Sequence, residues 1–356
     1  MNVYYIGSAN DACCYVRMYM PCYANGYWAD KMSLSSERKT IKQIQNDLRA
    51  SDIVVFHRPE NEEYSAIIKL LKADGKKIVI DNDDTFKIAD DHPLATWTSD
   101  ANKVELKKRD SKFDELASQA DLLTTSTEFL AEEYRKINKN VVVLPNCIEP
   151  MDWDKPLGNK TKKVRIGMVG SVSYEYDYGH IKGLLKTLSD RDDVELVLFG
   201  LGSKKHQYDN PAVTKHFEIE YKFWDTIKKE HTPWCPVSEY PSKLNEAKLD
   251  LMLIPRRDNY FNRCKSNVKW LEASMAGIAV CAESFEDGKG PYDTCIEDGK
   301  TGWLIKDKNW DRVLDIIKDK KLINKVGKNA RKEVLKNYNI KNKAILWDNA
   351  YKTLCE

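Results

Sequence analysis

No stretch of this 356-residue chain approaches the roughly 18 consecutive apolar residues of a membrane-spanning helix, so a span of that kind is excluded. The opening MNVYYIGSAND lacks a basic start and a long apolar core, so no secretory leader is expected and the expected location is cytoplasmic. The nine cysteines contain no C-x-x-C pair, their count is odd, and Cys13 and Cys14 are neighbours. That pattern excludes a disulfide framework and a zinc site, and predicts reduced, mostly packed thiols. A net charge of +2 supplies no general field for a polyanion or an anionic membrane, although it leaves room for a local basic patch. What remains is ordinary for a folded protein: 42% hydrophobic and 31% charged residues, in a chain longer than one hydrophobic core usually supports. Two domains are therefore expected.

The order of elements supports this division. NVYYIGS reads as a strand running into a glycine turn, Asp52 to Phe56 as a buried strand, Lys77 to Ile80 as another, and LLTTS and NVVVLPN as two more, with helices between them. The polar tract MDWDKPLGNKTKK, residues 151–163, reads as a linker between a domain over 1–150 and one over 164–338. The second domain repeats the alternation through VRIGMVGSVS, VELVLFGLG, LDLMLIP and a final GWLI strand, and three helices are expected from Trp310 onward. This is the pattern of two doubly wound α/β domains.

Open α/β sheets bind ligands outside the C-terminal ends of their strands, which singles out a few residues. His57 and Arg58 follow one strand, and Asp81, Asp83 and Asp84 follow the next at the same rim. For these carboxylates three uses stand side by side: hydrogen bonds to an acceptor's hydroxyls, capping of the following segment, or a metal. Gly170 and Ser171 form a turn where backbone can approach phosphate closely, and Arg256 and Arg257 end another strand, either reaching a diphosphate or lying in solvent. Residues 11–28, rich in Tyr, Cys and Met and including Arg17, fit a cleft lining or, more simply, a core. The tract 204–236 mixes aromatics with His and Lys, as stacking on bases would require, and equally fits a strand plus helix. His92 reads as a solvated loop residue.

The most informative stretch is NRCKSNVKWLEASMAGIAV, Asn262 to Val280. Val268, Leu271 and Met275 recur at helical spacing, predicting a helix over 265–275, while Lys265, Lys269 and Glu272 form a second stripe. Gly277 suits the left-handed C-cap, and IAVCA reads as a buried strand. A Lys/Glu stripe also describes a solvated face with ion pairs. Two lysines, a hydroxyl and a carboxylate near a helix N-terminus nevertheless suit a nucleotide diphosphate.

The segment resembles the donor-site helix of the family-four retaining glycosyltransferases, in the branch that reads Asn, two residues, Lys-Ser, two residues, Lys, two residues, Glu. Those positions are Asn262, Lys265, Ser266, Lys269 and Glu272; the likeness continues through Gly277, Pro291, Tyr292 and IEDGKTGWLI, and more loosely covers Val164 to Tyr338. The resemblance implies the GT-B fold, with two Rossmann-like domains facing across a cleft and a C-terminal helix, residues 339–356, packing back on the first. It implies transfer of a hexosyl or pentosyl group from a nucleotide-sugar donor, a UDP-sugar being favoured, to a saccharide or glycan hydroxyl, without cofactor or metal. Lys265, Lys269 and His57 would serve the reaction. Gly170, Ser171, Arg256, Asn262, Ser266 and Glu272 would hold the donor together with the two lysines, and Arg58, Asp81, Asp83 and Asp84 would meet the acceptor. The chain departs from the commoner family pattern at Cys264, where a glutamate is usual, at Cys147, where PNCIEP lacks a glycine, and after Gly170, where an arginine is missing. Three other readings stay open: transfer to a hydroxymethylated base in nucleic acid, an epimerase or phosphatase-like enzyme, and a non-catalytic nucleotide-sugar binding module.

Overall fold

A computed structural model describes residues 1–7, 11–29, 41–87, 100–170, 174–201 and 222–356. Two six-stranded parallel sheets organise it. The first contains β1 (Val3–Ile6), β2 (Trp28–Ala29), β3 (Ile53–His57), β4 (Lys77–Asn82), β5 (Leu122–Thr125) and β6 (Val141–Val143), in the order β2-β1-β3-β4-β5-β6. The second contains β7 (Val164–Val169), β8 (Val194–Phe199), β9 (Glu230–Thr232), β10 (Leu251–Ile254), β11 (Ala279–Glu283) and β12 (Trp303–Ile305), in the order β12-β11-β10-β7-β8-β9.

Parallel strands buried on both faces read as continuous apolar runs, and their side chains then alternate between two cores. In β3, Ile53 and Val55 enter one apolar cluster while Val54 and Phe56 enter the opposite one. In β8, Leu196 and Leu198 face one side of the second sheet, and Val197 and Phe199 the other. Each sheet carries apolar clusters on both faces, so the chain forms two α/β lobes. The last helix, Ile345–Lys352, buries Trp347, Ala350 and Tyr351 in the core of the first lobe beside Val3, Tyr5 and Ile53. It follows Ile340–Lys343, so four helical segments rather than three come after Trp310. No helix among the described residues is long and apolar enough to cross a membrane.

The Tyr/Met-rich region is core. Cys14, Met18, Tyr19, Met20 and Cys22 are buried against β1 and β3, and all nine cysteines are free thiols. Arg17 is buried among them and is the hub of the first lobe. Its Nε and Nη2 donate to Asp81 Oδ1 and Oδ2 at 3.0 and 2.6 Å, and Nη1 donates to the Leu144 carbonyl at 2.5 Å and to Asn146 Oδ1 at 3.0 Å. Its guanidinium lies 5.9 Å from the Trp347 ring centre. One side chain thus ties β4, the segment after β6 and the returning C-terminal helix.

Removing one partner of such a pair leaves a buried, uncompensated charge. Arg17→Ala should therefore lower the unfolding free energy by about 3–5 kcal/mol in urea titrations, and a loss below about 1 kcal/mol would show the guanidinium to be dispensable.

Candidate active site

In the second sheet β7 and β10 are neighbours, although chain connections leave them in opposite directions. That is the switch point at which an open α/β sheet forms a crevice. Gly170 follows β7 and Arg256 follows β10. Gly170 N–H donates to the Phe199 carbonyl at 3.0 Å, and a Cβ placed on it would come within 2.8 Å of the Tyr174 ring. Only glycine lets the ring lie this close. Arg256 is buried, with Nη1 donating to Asp177 Oδ2 at 2.9 Å and to Asn262 Oδ1 at 3.2 Å. Asp177 Oδ1 accepts from the Arg257 N–H at 3.1 Å and from Asn262 Nδ2 at 2.9 Å. Asn262 therefore positions Arg256 from within the protein rather than facing solvent.

Two cations converge on Tyr174. The Arg256 guanidinium lies 4.1 Å and the Lys269 ammonium 4.9 Å from its ring centre. Burial by itself would raise the pKa of its phenol, yet Arg256, Lys269 and Lys265 together lower it. Burial also works against the charge of Arg256, but Tyr174, Tyr292 and Asp177 hold its pKa well above the ordinary arginine value. Arg256 and Lys269 thus stand beside the Gly170 turn at the switch point. Cations beside such a turn suit a phosphate-bearing ligand.

The helix expected over 265–275 begins at Val268 instead of Lys265, and a separate short helix precedes it. Tyr260–Arg263 is capped by Asn259, whose side chain accepts from Asn262 N–H, and Val268–Met275 begins after Asn267. Lys265 and Ser266 occupy the break because both are drawn to the other lobe. Lys265 Nζ donates to Asp84 Oδ2 at 2.6 Å, and Ser266 Oγ accepts from Asn146 Nδ2 at 2.8 Å. Local helix propensity is a weak preference, and these tertiary contacts override it. Lys269 and Glu272 remain on the second helix. Glu272 accepts from the Tyr240 hydroxyl at 3.1 Å, and burial raises its pKa against the opposing influence of Lys269 and Tyr240. The helix ends as expected: Gly277 adopts a φ of 74°, and the Ile278 N–H returns to the Ala273 carbonyl. Cys264 packs in the apolar cluster of the first lobe with Phe113, Leu130 and Tyr134, and burial pushes its thiol up to about 12.

Across the cleft, the rim of the first lobe departs from expectation at Asp81 and His57. Asp81 is buried, and Arg17 and Thr124 occupy its oxygens, Thr124 Oγ1 donating at 2.7 Å; it offers nothing to an acceptor. The His57 ring is fully buried too. Its Nδ1 lies 3.4 Å from Cys14 Sγ, and its Nε2 lies 3.5 Å from Asp83 Oδ1, an ion-pair distance without hydrogen-bond alignment. Arg58 takes a φ of 50°, uncommon outside glycine, held by its N–H to the Asp81 carbonyl at 3.0 Å. Its Nε and Nη2 reach Asp83 Oδ1 at 2.9 and 2.8 Å. Asp84 lies between Lys265 and Arg58, whose Nη2 is 3.7 Å from Asp84 Oδ2. Cations thus claim each of the three aspartates, and the described residues contain no group of three or more His, Cys, Asp or Glu side chains arranged to hold a metal. Arg257 stacks on Tyr176, 4.2 Å from its ring centre.

Ser171, His92 and most of the tract 204–236 lie outside the described residues. Asp177, Tyr174 and Asn146 escaped the sequence reading. Asp177 sits in EYDYGH a few residues past the Gly170 turn, and Asn146 in PNCIEP, so proximity to those motifs was their only signal.

The sequence matches no protein-family model and no curated protein. Solved structures do match. The sucrose-phosphate synthase of Thermosynechococcus elongatus is 13% identical, with a TM-score of 0.64 and 99% of each chain covered. Anabaena HepE, in complex with UDP and glucose, is 11% identical, with a TM-score of 0.63 and 98% of each chain covered. TarM is 15% identical, with a TM-score of 0.61; the match covers 84% of this chain, which spans 54% of TarM. At these identities the likeness is one of fold, and with the two parallel-sheet lobes it establishes the GT-B fold.

Burial disfavours a charged His57, but Asp83 and Cys14 outweigh it and raise the pKa from 6.5 to about 9. A raised folded-state value means that the stabilisation is complete below about pH 6.5 and is lost as pH rises through about 9. NMR titration should place the imidazole transition near the higher value. The stability advantage of the wild type over His57→Gln should shrink across the same window, and a pH-independent difference would contradict the charged ring.

Proposed function

We propose that this chain is a retaining glycosyltransferase that moves a sugar from a UDP-sugar to a hydroxyl of a saccharide or glycan. The observation that carries this reading is the placement of Arg256 and Lys269 against Tyr174 beside the Gly170 turn, at the switch point of the second sheet, with Lys265 at the break in front of the Lys269 helix. A diphosphate beside Arg256 and Lys269 would meet cations there and exchange its hydration for fixed charge. The UDP of the HepE complex supports uracil as the donor base, and the motif resemblance supports retention of configuration.

In this reading Lys269 and Lys265 neutralise the diphosphate leaving group while Arg256, locked by Asp177 and Asn262, supplies a fixed positive field. Charge grows on the β-phosphate as the glycosidic bond breaks, so cations placed there favour the transition state over the ground state. The same phosphate oxygen receives the acceptor's proton, and no separate protein base is needed. Glu272, oriented by Tyr240, accepts hydrogen bonds from the ribose hydroxyls. His57 touches no substrate; it positions Asp83 and Arg58 at the rim facing the acceptor. Hydrogen-bond donors aimed at developing charge are typically worth about 10²–10³ in kcat.

Lys265→Ala should accordingly lower acceptor-dependent turnover of the UDP-sugar by about 10²–10³ while leaving the melting temperature within a few degrees of the wild type. Near-normal turnover would remove this lysine from the mechanism.

A further inference from the structure

Of the three aspartates on the first-lobe rim, only one remains open to a ligand. The Asp81 side chain is 2% exposed and taken by Arg17, and that of Asp83 is 10% exposed and taken by Arg58 and His57. The Asp84 side chain is 23% exposed. Its Oδ1 accepts from the Thr85 N–H at 2.9 Å, and its Oδ2 receives Lys265 at 2.6 Å from the opposite lobe. A carboxylate has about four acceptor positions, so this one retains capacity for further donors.

Its location makes the capacity meaningful. Whatever is bonded to a phosphate held by Lys265 lies within a sugar ring's width of that ammonium, and Asp84 is already in contact with it. The residue before Lys265 is Cys264, whose thiol is buried in the first-lobe core and offers no hydrogen-bonding carboxylate itself. Arg58, 3.7 Å from the same oxygen, keeps the carboxylate in place when Lys265 turns to a phosphate.

We propose that Asp84 recognises the hydroxyls of the donor sugar, so that the first lobe helps to set donor specificity instead of serving the acceptor alone. The inference rests on the donor-site reading given above. Adjacent sugar hydroxyls donate to a carboxylate through charge-assisted hydrogen bonds, and losing them costs about 10- to 100-fold in affinity. Without a sugar, Asp84 competes with the diphosphate for Lys265. The nucleotide and the sugar nucleotide therefore respond oppositely to its removal.

The test is calorimetric binding of UDP, UDP-glucose, UDP-galactose and UDP-N-acetylglucosamine to the wild type, Asp84→Ala and the isosteric Asp84→Asn. The Asn variant carries the comparison if the Ala variant does not fold. For the sugar nucleotide that the wild type binds best, both variants should weaken binding about 10- to 100-fold, with UDP binding unchanged or tighter. Equal changes for UDP and the sugar nucleotide, or no change in either, would reduce Asp84 to an ion-pair partner of Lys265 and overturn the proposal. A wild type that binds UDP and no sugar nucleotide would overturn it likewise, and binding of neither would overturn it together with the donor-site reading.

Discussion

The buried guanidinium of Arg17 is the interaction on which the relation between the lobes depends. It neutralises Asp81 at the C-terminal end of β4, holds the Leu144 carbonyl and Asn146, and lies beside Trp347 of the returning helix. Asn146 then passes a hydrogen bond to Ser266 in the second lobe. A buried ion pair adds little net stability compared with apolar packing, but it penalises any arrangement that separates its members. Here it dictates where the segment between the sheets must run, and through Ser266 it anchors the break in front of the Val268–Met275 helix.

That break matters because it presents Lys265 to the cleft. The crevice of the second lobe already holds Arg256 and Lys269, and packing a third cation nearby is unfavourable unless anions balance it. Asp177 balances Arg256 from inside the lobe, and Asp84 balances Lys265 from outside it. Arg256 and Lys269 still face the Tyr174 ring, and with Lys265 they outweigh the burial that would raise the pKa of its phenol. A diphosphate arriving at Lys265 would have to compete with a carboxylate of the facing lobe.

Much of the architecture was legible because a parallel sheet covered on both faces demands continuous apolar strands. IVVF, IVI, LLTT, LDLMLI and IAVCA announce themselves in this way, and Gly277 marks a helix end through its backbone freedom. The Tyr/Met-rich region is helical, and it is core because its apolar residues cover β1 and β3. The helix expected over 265–275 starts at Val268, since the apolar period of Val268, Leu271 and Met275 says nothing about partners for Lys265 and Ser266 on another lobe. Asp81 and Asp83 looked equivalent to Asp84 in IDNDDTF, and only the buried Arg17 and the rim residues Arg58 and His57 distinguish them.

The amino-acid sequence by itself determined the elements, their division into two α/β lobes and the collection of cations near Asn262, because hydrophobic period, glycine turns and strand ends are properties of neighbouring residues. The tertiary structure alone decided which charges remain available. Whether Asp84 or Asp81 faces the cleft, whether His57 touches solvent and whether Cys264 leaves a gap for a carboxylate all depend on partners remote in the chain. Electrostatic and desolvation energies are set by such distant neighbours, and no local pattern of residues encodes them.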